Sequence, residues 1–218
     1  EFEAVFNPTK QWRIMMNVAK QESIRGEAAR DAAPLIAERM SVWMKDSIKD
    51  LTAGTSFDVK GFATSVLDTT VKRAQHSAGQ VAQELVPWRA NFVGNYTFAR
   101  ESKLKGWGIG GAARWQDQVA LGYAPLRDPV LGNLDDLAHP FKGPTQIHYD
   151  GWISYTRPIF NKKIEWKIQL NIRNLLNENL MIPVRSNPVA LDNKTDFYVA
   201  AWRIGEARNW SVTSTFSF

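Results

Sequence analysis

Alternation of apolar and polar residues with a period of two is the feature that most constrains this chain. The clearest stretch is "IEWKIQLNIRN", in which Trp166, Ile168 and Leu170 share one side and the charged or amide residues share the other. The final "RNWSVTSTFSF" repeats the pattern, with Val212 and Phe216 opposite a row of Ser and Thr. Such alternation is typical of strands in a sheet with one apolar and one polar face.

The same pattern predicts seven strands, joined alternately by short and long connections. The short connections contain "NPTK", "RESKLK" and "NKK". In the long connection 20–87 we expect two amphipathic helices joined around "TAGTS", whereas 118–148 is loop-like because of its Gly and Pro, and 177–205 is a further loop. The predicted strands are 1–6, 11–19, 88–99, 105–117, 149–160, 164–175 and 207–218.

Composition and motifs argue against several classes of function. The chain has no Cys, and its three His are separated in sequence, so we predict no metal site, no cofactor and no catalytic centre. The net charge of +5 comes from scattered Lys and Arg without a recognition motif, which argues against nucleic-acid binding. The chain also lacks the run of about 20 apolar residues that a membrane-spanning helix requires.

The length of the predicted strands distinguishes two all-β interpretations. Strands of soluble sandwiches are typically about 5–6 residues long, whereas a tilted strand needs about 9–11 residues to cross a bilayer. Trp residues near the strand ends fit the aromatic girdles of membrane barrels. We therefore expect an arc of a larger antiparallel membrane barrel that begins in mid-strand, as a fragment would. A soluble all-β binding domain is the alternative fold.

The alternation of short and long connections along the chain predicts the side of the membrane on which each connection lies. If the last residue lies on the periplasmic side of an outer membrane, the short connections are periplasmic and the three long ones are extracellular. The simpler interpretation of 20–87 is a loop that packs on the barrel rim. The more specific interpretation is that 20–87 forms a ligand lid or a docking surface for another protein.

Several stretches together resemble the C-terminal end of TonB-dependent outer-membrane receptors. The "N-L-L" of Asn174 to Leu176, the "G-x-x-R" of Gly205 to Arg208 and the terminal Phe218 follow the order of that family's last strands. "WRANFVGNYTFAR" with "LKGWGIGGAARWQ", and "NPTKQWRIMMNVAKQES", are also similar to the family. The resemblance covers the chain apart from the insert 20–87.

This resemblance implies a barrel of about 22 strands with a plug domain in its lumen. It implies import of a scarce ligand, such as an iron–siderophore, cobalamin or an oligosaccharide, driven by the TonB complex through a plug that is absent from this chain. It also implies contact with outer-membrane lipid and lipopolysaccharide in a Gram-negative-type bacterium. Phe216 and Phe218 would belong to the signal that the outer-membrane assembly machinery reads. A non-transporting structural or adhesive barrel that scaffolds an assembly remains the alternative function.

The polar side of the predicted strands carries more basic than acidic residues. These would attract anionic ligands in a lumen, or alternatively pair with carboxylates of the plug. The Gly-rich run in 106–112 would let the plug pack closely against the barrel wall. The basic candidates, set against Glu165 alone, are Arg13, Arg89, Arg114, Lys167 and Arg173.

Overall fold

Antiparallel strands dominate the computed structural model, which describes residues 1–24, 26–52, 58–79, 85–161, 163–178, 181–190 and 194–218. Seven strands form one sheet in the order β1-β2-β3-β4-β7-β8-β11, and two further pairs form separate hairpins. The expected all-β, antiparallel class is therefore confirmed. The strands of the large sheet are β1 (Phe2–Phe6), β2 (Trp12–Lys20), β3 (Trp88–Thr97), β4 (Trp107–Gln116), β7 (Gln146–Ile159), β8 (Ile164–Arg173) and β11 (Asn209–Ser217).

The register of the strands places the apolar side chains of the large sheet on one side, which we call the apolar face. Directly opposed residues in an antiparallel pair project to the same side. Phe92 lies opposite Met16 on β2 and Ala113 on β4, and Leu170 lies opposite Ile153 and Val212. The last strand of the chain pairs with the strand that lies within residues 164–175. The other side is the polar face.

The two edges of the sheet that cross the strand ends differ in their connections. Residues 7–11, 98–106 and 160–163 form the short-connection edge, and residues 21–87, 117–145 and 174–208 leave from the long-connection edge. The middle of the predicted "NKK" turn, residue 162, lies outside the described residues. Each edge carries a row of Trp on the apolar face. Trp12, Trp107 and Trp166 lie near the short-connection edge, and Trp88, Trp115 and Trp210 near the other.

Basic and aromatic side chains contact one another in these Trp rows. The Trp12 and Tyr96 rings have centroids 5.1 Å apart, as do those of Trp107 and Tyr155. Arg157 lies 5.4 Å from the centroid of Trp166. Similar contacts join Lys20 to Trp88 and Arg208 to Trp210.

The buried apolar residues lie mainly outside the large sheet, in two hairpins that the sequence did not predict. The expectation of loops at 118–148 and 177–205 was wrong for much of their length. The first contains β5 (Ala120–Asp128) and β6 (Gly132–Lys142), and the second β9 (Met181–Pro188) and β10 (Phe197–Ile204). Of the buried apolar side chains described, all but Ala63 belong to the hairpins: Leu121, Ala124, Leu134, Phe141 and Ile182.

Contacts between the two hairpins explain why their Gly and Pro residues do not prevent strand formation. Pro125 is tolerated because each strand of a two-stranded sheet has one side free of ladder hydrogen bonds. Gly122 allows a close approach, since a Cβ there would lie 2.8 Å from the Ser186 carbonyl oxygen. The Phe141 and Phe197 rings stack with centroids 4.9 Å apart. Register shifts in both pairs mark the bulges that hide the alternation.

The described part of the insert 20–87 is helical on both sides of the predicted junction, as expected, but it contains four helical elements instead of two. They are α1 (Ala32–Trp43), α2 (Val59–Gly61), a π-helical stretch (Phe62–Asp68) and α3 (Thr69–His76). The predicted junction at "TAGTS" lies largely outside the described residues. Asp58 caps α2 by accepting a 2.6 Å hydrogen bond from the Gly61 N–H. No helix among the described residues combines the length and apolar character needed to cross a bilayer.

A guanidinium fixes the insert to the first hairpin. Arg73 of α3 donates hydrogen bonds of 3.0 and 2.8 Å from Nε and Nη2 to the Leu131 carbonyl oxygen. His76 lies 3.3 Å from the Asp135 carbonyl oxygen. We call the insert and the two hairpins together the cap. By contrast, α1 has no buried residue, and Leu35 on it is 54% exposed.

Candidate functional site

The polar face holds all five basic residues singled out in the sequence. Register places Arg13 opposite Asn95, Arg89 opposite Gln116 and Arg114 opposite Asn91. Lys167 and Arg173 of β8 lie opposite Thr215 and Asn209. The five share this face with Glu165 but are spread over several strands, so they do not form one cluster.

Two of the five are neutralised at the long-connection edge by acidic residues of the same chain. Arg114 Nε lies 3.0 Å from Asp150 Oδ2, and Arg114 Nη2 lies 3.8 Å from Glu206 Oε2. The other Glu206 oxygen lies 3.4 Å from Arg173 Nη1. Arg114 and Arg173 thus have acidic partners within this chain, whereas the alternative that the basic residues pair with carboxylates of a plug stays a prediction.

Asn174 organises this ion-pair network from a buried position. It is 4% exposed and has a φ of 49°, a left-handed conformation that Asn adopts more readily than most residues. Its amide Nδ2 donates to the Glu178 and Glu206 carbonyl oxygens at 3.0 and 2.9 Å. The sequence singled out Asn174 as part of a motif but did not indicate this bridging role.

The other three basic residues lack such partners within the part of the chain that the structure describes. Among the described residues, no carboxylate lies within ion-pair distance of Arg13, Arg89 or Lys167. Lys167 lies at the short-connection edge beside a cavity of about 600 Å³. We call this cavity the basic cleft, because its lining contains one acidic residue, Glu165, and four basic residues: Arg100, Lys105, Arg157 and Lys167.

The Gly-rich part of β4 accommodates side chains of the neighbouring strand β7. Trp152 lies across Gly110, where a Cβ would overlap its ring, and its Nε1 donates a 3.0 Å hydrogen bond to Asn95 Oδ1. A Cβ at Gly108 would lie 2.9 Å from Ser154 Oγ. These glycines thus have close neighbours within the sheet, independently of any plug.

Three glycines align across the apolar face, and two of them, Gly94 and Gly111, line a shallow groove. Gly94 lies opposite Gly111, which lies opposite Gly151. The recess has a volume of about 500 Å³, with Phe92 and Leu175 among its apolar lining residues. The alternation pattern placed Gly94 and Gly111 on the apolar side of their strands, whereas the alignment with Gly151 depends on register.

A second polar cluster lies within the cap. Asp136 Oδ2 accepts from Lys194 Nζ at 2.8 Å and lies 2.9 Å from His139 Nδ1. The hydrogen bond from Lys194, together with His139, lowers the pKa of the Asp136 carboxyl against the opposing effect of burial. No group of three or more potential ligands capable of holding a metal ion occurs within the described ranges.

The two C-terminal aromatics lie at the short-connection edge. Phe216 lies opposite Trp166 of β8, and Phe218 follows the end of β11 and is 97% exposed. Strand β11 occupies the outer position of the sheet and pairs there with β8. No family model matches this chain, and no curated protein matches it either.

Proposed function

We propose that this chain is the C-terminal portion of the barrel of a TonB-dependent outer-membrane transporter that imports a scarce ligand. The observation that carries the proposal is the exposed apolar face of the large sheet. Phe92 is 49% exposed, Ile109 50% and Val212 66%, although their alternation is that of a face that meets an apolar medium. A contiguous apolar surface of this kind is a marker of a membrane or protein contact.

Strand length and the Trp rows support lipid as the medium. Strands β2, β3, β4, β8 and β11 have nine or ten residues, close to the roughly 9–11 that a tilted strand needs to cross the hydrocarbon. The Trp rows near both edges match the positions of interfacial girdles. In a bilayer, the free edges of β1 and β11 must pair with further strands, because lipid supplies no hydrogen-bond partners.

In this proposal the polar face lines the lumen. Arg13, Arg89 and Lys167, which have no ion-pair partner among the described residues, favour an anionic ligand such as a ferric siderophore or an acidic glycan over cobalamin. The cap is extracellular, and the TonB complex acts through a plug outside these residues. The contact of α3 with the first hairpin favours the interpretation of 20–87 as a loop that packs on its neighbours, and leaves the exposed α1 as the surface for a protein partner.

Growth of a deletion strain on single defined iron or glycan sources tests the proposal. We expect growth to fail on one class of anionic source, to return with the complete gene, and to fail equally in a strain without TonB. Normal growth of the deletion strain on every source would contradict the transport function.

A further inference from the structure

The short-connection edge carries an excess of basic residues that the proposed transport does not use. Among the described residues of that edge and the adjoining strand ends, the exposed basic side chains outnumber the acidic ones, Glu101 and Glu165. At the long-connection edge, in contrast, Arg114 and Arg173 are paired with Asp150 and Glu206. Besides Arg13 and Lys167, which line the proposed lumen, the exposed basic residues of the short-connection edge are Lys10, Arg100, Lys103, Lys105, Arg157 and Lys163.

Exposed apolar side chains stand beside these basic residues. Leu104, between Lys103 and Lys105, is 47% exposed, although the turn around it is ordered by a 3.1 Å hydrogen bond from the Lys105 N–H to the Ser102 carbonyl oxygen. Phe160 is 71% exposed. The turns therefore hold apolar and cationic groups outward together.

The backbone at Phe160 strengthens this observation. Its φ is 47° and that of Asn161 is 54°, as in the tight turns that favour Gly and Asn. A bulky residue rarely adopts this conformation, and the Phe160 side chain nevertheless remains 71% exposed. An apolar group held outward at a conformational cost is explained if it enters an apolar medium.

We propose that the short-connection edge binds the headgroups of anionic phospholipids, with Lys103 and Lys163 at the phosphates and Leu104 and Phe160 in the acyl region beneath them. This inference rests on the proposed membrane location. Basic residues near an anionic leaflet attract it electrostatically, and Trp and Tyr rings such as Trp107 and Tyr155 prefer the same interfacial depth. The charge is thus complementary to one kind of lipid surface.

Charge reversal in the full-length protein tests the inference. The protein is reconstituted in mixed phosphatidylglycerol and phosphatidylcholine vesicles, and the lipid retained after detergent extraction is identified by native mass spectrometry. We expect phosphatidylglycerol to be retained in preference, and the preference to fall by roughly tenfold in the double variant Lys103→Glu, Lys163→Glu. The matched control Lys45→Glu, Lys60→Glu makes the same charge change in the insert and should leave the preference unchanged.

The outcomes separate this inference from the proposed function. Protein that does not float with vesicles of any composition contradicts the membrane location itself. Protein that floats but retains both lipids equally, or whose preference survives the Lys103 and Lys163 reversals, overturns only the headgroup site. Added lipopolysaccharide that displaces phosphatidylglycerol from the wild type, but not from the double variant, would overturn the assignment to phospholipid.

Discussion

The backbone N–H of Asn174 donates a 3.1 Å hydrogen bond to Asp150 Oδ1, across the boundary between β8 and β7. The other oxygen of the same carboxylate lies 3.0 Å from Arg114 Nε on β4. One side chain therefore joins the ends of three strands where the cap begins. Because the Asp150 side chain is only 19% exposed, water cannot readily replace it.

Replacement of Asp150 by Ala should destabilise the protein by about 1–3 kcal/mol, because it leaves the Asn174 N–H and the Arg114 guanidinium without this acceptor. Arg173→Ala is the matched control, since its contact with Glu206 is long and its side chain is 68% exposed. The control should cost at most about 1 kcal/mol. Urea unfolding of both variants measures the difference. Equal losses would show that Asp150 has no special role.

Two glycines on neighbouring strands give a test of the packing on each face. Gly110→Ala drives a Cβ into the Trp152 ring and should destabilise by about 1–3 kcal/mol. Gly94→Ala places its Cβ 3.6 Å from Phe92 Cε1 in the groove and should change stability by less than about 0.5 kcal/mol. Thermal unfolding compares them. A Gly94 variant as unstable as the Gly110 variant would contradict the described register.

We expect acid to destabilise the cap by protonating the Asp136 carboxylate. The folded-state pKa of this carboxyl lies below its ordinary value of 3.8, so its contribution to stability is present above about pH 3.8 and is lost as the pH falls through the folded value. Hydrogen exchange in β6 at a series of acidic pH values measures the loss. Asp136→Asn should remove this pH dependence. An unchanged acid transition in that variant would assign it to another group.

The alternation predicted the large sheet because each of its strands has one apolar and one polar side. The pairing of Ile172 with Trp210 continues the pattern across two strands that lie far apart in the chain. The cap hairpins escaped prediction since β5 contains Gly122 and Pro125 and is bulged. Its burial follows from contact with β9, and local periodicity carries no signal for that contact.

The candidate site was predictable only in part, for the same reason. The alternation of side chains along the strands predicted that Arg13, Arg114 and Lys167 lie on the same face of the sheet. Which of them is neutralised depends on Asp150 and Glu206, and the sequence does not indicate that those acids meet Arg114. The buried position of Asn174 likewise depends on the folding of residues 174–208 back onto the sheet.

Deletion of Phe218 should lower the amount of protein in the outer membrane without lowering its synthesis. The terminal ring is 97% exposed, so its loss removes little packing within the chain. In the proposed outer-membrane barrel, recognition of Phe218 by the assembly machinery would account for this loss. Ser217→Ala, one residue earlier, is the control and should leave the membrane yield normal. A normal yield after deletion of Phe218 would contradict this role.

The most direct test of the central claim, that the apolar face contacts lipid, is site-directed spin labelling along β8. The described chain contains no Cys, so single Cys substitutions at Ile168, Gln169, Leu170 and Asn171 can each carry a label. In lipid-reconstituted protein we predict that oxygen relaxes the labels at 168 and 170, while a water-soluble nickel complex relaxes those at 169 and 171. Greater access of the nickel complex to 168 and 170, or no alternation at all, would contradict the account.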